Sequence, residues 1–223
     1  MIRRDYIMRL VAEMVQVLAR VVSLRQRQEY ELALREIDAA LGRIRDSQSA
    51  SARECALEDW IALCRKHGQA ASGLEVAVAD LLKEQGEVFA LQDKGLQSHQ
   101  ARALSLGLFL EALLGEETFV SAELLGKVDQ LLEETRDASL PAPVLGRLFK
   151  YFEARGRYAK AEDTLFAWLE VEERPALEEG LAFYQRLLAR DDAELEWGDL
   201  PRAEVEEGSR AFLETWRKRF PDG

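Results

Sequence analysis

The chain has 223 residues, 48% of them hydrophobic, and 41 acidic side chains against 30 basic ones, for a net charge of -11. That apolar fraction can bury a substantial core, which excludes wholesale disorder; the acidity argues against general nucleic-acid binding, which needs a basic surface to release counterions from phosphates. Leu, Ala, Glu and Arg are abundant and β-branched runs scarce, so the composition predicts helix throughout and little or no sheet.

The first element carries Ile7, Leu10, Met14, Val17, Val21 and Leu24 at alternating spacings of three and four, widened by Val11 and Leu18. This predicts a helix with a broad apolar face. Tyr30, Ala33, Ile37, Ala40, Leu41 and Ile44 repeat the interval and predict an antiparallel hairpin with it. The same first stripe also fits a seam between two copies, so a homodimer joined through the first helix is an alternative. The Ser-rich segment 46–51 ends the hairpin and offers caps for a third helix with Leu57, Trp60, Ile61 and Leu63, closing at His67-Gly68. Ser72-Gly73 reads as a break, which places the fourth helix from about Leu74 to Leu91 and the fifth from about Gln97 to Leu114. The sixth runs from Ser121 as N-cap to about Arg136.

Pro141 and Pro143 open the most informative stretch. Leu145 to Phe152 has a helical pattern, and Gly156-Arg157-Tyr158-Ala159-Lys160-Ala161-Glu162 follows, with Leu165, Trp168 and Leu169 beyond. A glycine ends the first helix in a left-handed cap, a tyrosine seats in the helix contact, and a small alanine permits close approach. The stretch reads as the turn and second helix of a tetratricopeptide-type hairpin. Gln28, Tyr30, Ala33, Ile37, Ala40 and Leu41 align with it as a partial repeat; the middle hairpin keeps only Phe109, Ala112 and Leu113, with Ser105 at the alanine position and Arg102 at the tyrosine position. Pro175 then suits the first turn of a helix bearing Leu177, Leu181, Tyr184, Leu187 and Leu188, which ends at Asp191-Asp192. An acidic connection to Asp199 contains Trp197, and the last helix begins near Asp199-Leu200-Pro201 and carries Val205, Phe212, Leu213, Trp216 and Phe220. The pattern predicts an all-α, irregular α-solenoid of antiparallel tetratricopeptide-like hairpins with about ten helices, in one elongated domain over 1–223 that allows a sub-boundary near 137–143.

The chain also resembles a bacterial family of unknown function built on tetratricopeptide-like hairpins. The resemblance runs over nearly the full length and is carried by Arg4 to Arg9, Tyr30 to Leu41, Tyr158 to Phe166, Leu177 to Tyr184 and Leu200 to Gly208. It implies an all-helical, repeat-like fold, and it brings no catalytic residues.

Charge is unevenly spread: residues 1–115 have 16 acids and 15 bases, whereas 116–223 have 25 and 15. The acidic half admits a basic partner, though a solvated surface explains the same excess. Cys55 and Cys64 stand nine apart on one helix and point in roughly opposed directions, poorly placed to bridge each other. With an N-terminus lacking an apolar signal core, they suggest a reducing cytoplasm. The most apolar run, Leu104 to Leu114, is too short to span a membrane and contains Glu111.

Candidate chemistry is sparse. Cys64 and His67 sit three apart, but structural zinc needs four ligands and Cys55 and His99 would have to converge from elsewhere. There is no Gly-x-Ser-x-Gly elbow and no phosphate loop. Acid pairs such as Glu133 with Asp137, Glu170 with Glu173 or Glu204 with Glu207 read as solvated helix faces. Asp5, Tyr6 and Arg9 read as the capped, polar start of the first helix. Trp60, Trp168 and Trp216 fall on apolar stripes and are expected in the core; Trp197 has no stripe and suits either packing under a loop or anchoring a partner. Arg157 and Lys160 flank Tyr158 at the hairpin turn, a placement that suits a carboxylate ligand, although plain surface decoration explains them better. The expectation is therefore a non-enzymatic protein–protein interaction or scaffold module without metal or cofactor, whose partner-binding candidates are Trp197, Arg157 and Lys160. A small-molecule sensor or enzyme with an inter-helix pocket is the remaining alternative.

Overall fold

A computed structural model describes residues 2–45, 56–66, 71–115 and 121–219, with side chains described from Ile7 and, in the third stretch, from Gly73. Among the described residues there are eleven α-helices and no strand. The expected all-helical chain of about ten helices is what forms. No helix among them is long and apolar enough to cross a membrane. The chain divides into two compact units, Met1–Leu140 and Pro141–Gly223.

The first unit holds α1 (Ile2–Gln26), α2 (Tyr30–Ile44), α3 (Leu57–Lys66), α4 (Ala71–Leu91), α5 (Gly95–Leu114) and α6 (Ala122–Glu134). The expected stripe on α1 is internal: Ile7, Leu10, Met14, Val17 and Val21 are each at most 5% exposed. They are covered by α2, through Ala33, Leu34, Ile37 and Leu41, and by α4. A seam between copies cannot use these residues without unpacking the hairpin.

The centre of the unit is the α4–α5 hairpin, closed by a three-residue link in which Lys94 N donates to Phe89 O at 2.9 Å. Both helices are apolar on most sides, as expected of elements covered from several directions. Ser105, where the repeat pattern places alanine, is fully buried, and its hydroxyl donates to Ala79 O at 2.8 Å. A small residue is kept and its one polar group is satisfied across the helix contact. Arg102, at the tyrosine position, instead pairs with Glu87 at 3.3 Å and makes a charge contact with Glu134 at 3.1 Å. The α3 helix buries Leu57, Trp60, Ile61 and Cys64 against α4 and α5.

The predicted break at Ser72-Gly73 is not one: α4 starts at Ala71 and runs through both residues. Glycine in a helix costs about 1 kcal/mol relative to alanine, less than is gained by burying Leu74, Val78, Leu81 and Leu82 on the same helix. Ser121 is the N-cap of α6, accepting from Leu124 N at 3.1 Å.

The second unit holds α7 (Ala142–Ala154), α8 (Tyr158–Val171), α9 (Glu173–Leu188), α10 (Asp192–Trp197) and α11 (Arg202–Arg219). Successive packing of α7 on α8, α8 on α9 and α9 on α11 surrounds an aromatic core. Phe149 meets Phe183 edge-on at 5.2 Å, and Tyr184 and Phe212 lie 5.2 Å apart. Trp60 and Trp168 are buried as expected, while Trp216 is half-buried. Asp191-Asp192 does not simply end α9, which stops at Leu188; Asp191 is the N-cap of α10, accepting from Glu194 N at 2.8 Å. The acidic connection is thus a short helix.

Candidate functional site

The α7–α8 turn forms one wall of an open cleft. Gly156 has φ +67, the left-handed conformation that L side chains rarely adopt, and reverses the chain. Its N–H donates to Glu153 O at 2.9 Å, and Arg157 N donates to Phe152 O at 2.9 Å, closing the carbonyl end of α7. Tyr158 follows and is buried. With only Arg157 at the N-cap and no side chain capping it, the start of α8 needs acceptors from elsewhere.

The other wall supplies one. Gly198, just beyond α10, accepts from Ala159 N at 3.0 Å. The approach requires glycine: a Cβ at Gly198 would stand 2.3 Å from Tyr158 Cδ2 and 2.7 Å from Gly156 O. Leu195 and Leu200 are buried and anchor the short helix. Trp197 lies two residues past Leu195, on the opposed side of the helix, and is 76% exposed. Its ring covers the turn, with Cζ3 2.8 Å from where a Gly156 Cβ would stand.

The cleft has a volume of about 450 Å³ and is lined by Gly156, Arg157, Ala159, Lys160, Trp197, Gly198 and Asp199. The three candidate residues therefore share one site, although about forty positions separate Arg157 from Trp197 in the chain. Lys160 Nζ sits 5.8 Å over the Phe152 ring. Neither Arg157 nor Lys160 has an acidic partner among the described residues, whereas Arg174, Arg186, Arg190, Arg202 and Arg219 in the same unit each hold one. The sequence marks Asp199 only as the approach to the last helix and gives Gly198 no role; Asp199 has φ +56, and no local pattern announces that these two residues close on a turn near position 156.

The other candidates are dispersed. Cys64 is fully buried, and burial, with Glu75 as the smaller contribution, pushes its thiol up to about 12. Cys55, His67 and the side chains of Asp5 and Tyr6 lie outside the described residues. His99 Nε2 is 3.0 Å from Ser139 O. Among the described residues no group of three or more His, Cys, Asp or Glu stands ready to hold a metal ion. Of the acid pairs, Glu133 is bound to Arg136 and Glu173 to Arg219, which makes them parts of surface ion pairs.

Two polar pairs escaped the sequence reading. Tyr184 donates to Glu162 Oε1 at 2.5 Å. Burial raises the Glu162 carboxyl above its ordinary range, Asp163 and Glu204 add to the rise, and the tyrosine hydrogen bond opposes it. Asp80 meets Lys127 at 2.7 Å; burial raises its carboxyl while Lys127 pulls it down. Both pairs tie neighbouring helices together and lie apart from the cleft lining.

Comparison with known proteins gives one match. The chain belongs to a family of unknown function (DUF6483), whose model matches residues 1–216. No curated protein and no solved structure matches it.

Proposed function

We propose that this family member is a non-enzymatic protein–protein interaction module, an irregular solenoid of tetratricopeptide-like hairpins that works in the bacterial cytoplasm and takes a partner segment at the Trp197 cleft. The observation that carries this reading is the exposure of Trp197, 76%, beside two cations without acidic partners in one open cleft. Tryptophan and arginine are among the side chains most enriched where binding energy concentrates, and a large exposed ring beside a concavity offers a ready anchor. The turn chemistry at Gly156, Tyr158 and Ala161 supports the hairpin type.

The test is affinity capture from a lysate of the source organism, run in parallel with the wild-type chain and Trp197→Ala. A protein retained by the wild type and lost with the variant supports the reading. Equal retention by both removes the cleft from it.

A second reading, a homodimer through α1, is favoured by a different set of residues from the buried stripe. Met8 is 61% and Val15 56% exposed, and with the half-buried Val11, Leu18 and Val22 they continue the three-and-four spacing of a helix seam on the outer side of α1. Light scattering of the wild type against Met8→Glu/Val15→Glu decides it. A wild type that is already monomeric at micromolar concentration refutes it.

A further inference from the structure

The acidity of the C-terminal half suggests a basic partner, yet the charges at the cleft itself are of the opposite kind. Two cations, Arg157 and Lys160, line it against one acid, Asp199. This occurs in a unit where residues 141–223 carry 18 acids and 13 bases, so the local balance is opposite in sign to that of the unit. Neither cation is neutralised by a neighbouring carboxylate among the described residues, so both charges are open to a ligand. Of the three acids on α10, two pair elsewhere: Asp192 with Arg202 and Glu194 with Arg190.

Resting on the interaction reading above, we propose that the occupant of the cleft is an acidic peptide segment, with an apolar side chain laid on Trp197 and a neighbouring Asp or Glu between Arg157 and Lys160. The volume of about 450 Å³ accommodates a few side chains. Trp197, three-quarters exposed, offers a wall rather than an enclosure, which fits a segment of a larger partner better than an engulfed small molecule. Charged hydrogen bonds to the guanidinium supply orientation, and the ring supplies contact area at low entropic cost. Asp199 on the rim disfavours a second acid at that end and so sets the direction of the segment.

The experiment is selection of a displayed library of random peptides on the full-length chain, with the enriched peptides then measured on Trp197→Ala and on Arg157→Glu/Lys160→Glu. Circular dichroism of the variants should match the wild type and their melting should stay close to it, because all three residues are exposed. The expected result is enrichment of peptides that combine acids with an aromatic or aliphatic residue, binding more weakly as salt rises and losing about tenfold or more in affinity with either variant. Enrichment of basic or uncharged peptides that still depend on Trp197 would overturn the acidic assignment and leave the interaction reading standing. Peptides that bind both variants as well as the wild type, or no enrichment at all, would overturn both.

Discussion

Replacing Gly198 by alanine tests whether the cleft is built as described. The added methyl would lie 2.3 and 2.9 Å from Tyr158 ring carbons and 2.7 Å from Gly156 O, closer than real Cβ atoms approach anything. Neither neighbour yields easily: Tyr158 is 6% exposed, and Gly156 is locked in a hydrogen-bonded turn. Overpacking of this kind costs about 1–3 kcal/mol. Alanine recovers about 0.4–1 kcal/mol by restricting the unfolded chain, because Gly198 has an ordinary φ of -84. A net loss of about 1–2 kcal/mol follows, read as a lower urea midpoint at unchanged slope. The Tyr158→Ala background supplies the control. With the ring gone, two of the three close contacts vanish, so the same Gly198→Ala change should cost clearly less there, a coupling that a double-mutant cycle measures. A Gly198→Ala chain with the wild-type midpoint, or an equal loss in both backgrounds, would refute the packing argument.

Three further outcomes are expected. Glu162 holds its proton more tightly folded than unfolded, so its contribution to stability is greatest at acid pH and declines as pH rises from its ordinary value of 4.5 through the raised folded one; melting from about pH 4 to about pH 8 should show the wild type losing ground steadily against Glu162→Gln, and a constant difference would contradict the buried-acid assignment. In a Cys55→Ser background, Cys64 should resist a thiol reagent at mildly alkaline pH until the protein is unfolded, because its thiol is pushed up to about 12; rapid reaction of the folded chain would show that α3 does not bury it. Lys127→Met leaves the mostly buried Asp80 without its 2.7 Å cation and should destabilise by about 1–3 kcal/mol at neutral pH. That loss should shrink in acid as Asp80 protonates, and a loss independent of pH would assign the effect to packing over Phe109 instead.

Much of the fold could be read from local chemistry. The three-and-four stripe of α1, Ser121 before α6, the prolines at the start of α7 and the glycine turn at position 156 each depend on neighbours a few residues away, which is the range over which periodicity and capping act. The failures have a common physical origin in longer-range packing. Ser72-Gly73 looks like punctuation, but a helix buried from several sides absorbs a weak former. The α10 helix has six residues, too few to display a period, and its acids resemble a loop. The cleft was half visible: the exposed, stripeless Trp197 and the flanking Arg157 and Lys160 stood out separately. Their meeting depends on Gly198 fitting against Tyr158, a tertiary contact without a local signature.

The hydrogen bond from Ala159 N to Gly198 O carries one more consequence. An isolated six-residue helix does not persist in water, so α10 is folded only while docked on the start of α8. One wall of the cleft therefore exists conditionally, and its lifetime is that of the docked state. Amide exchange at Ala159 measures that state directly: its protection free energy is the free energy of closing the site, separable from global unfolding as reported by deep amides such as Leu165. A partner that binds only the closed form must slow exchange at Ala159 in proportion to its occupancy. A single backbone proton thus serves as an internal gauge of how much of the chain is competent to bind at any moment, whatever the partner is.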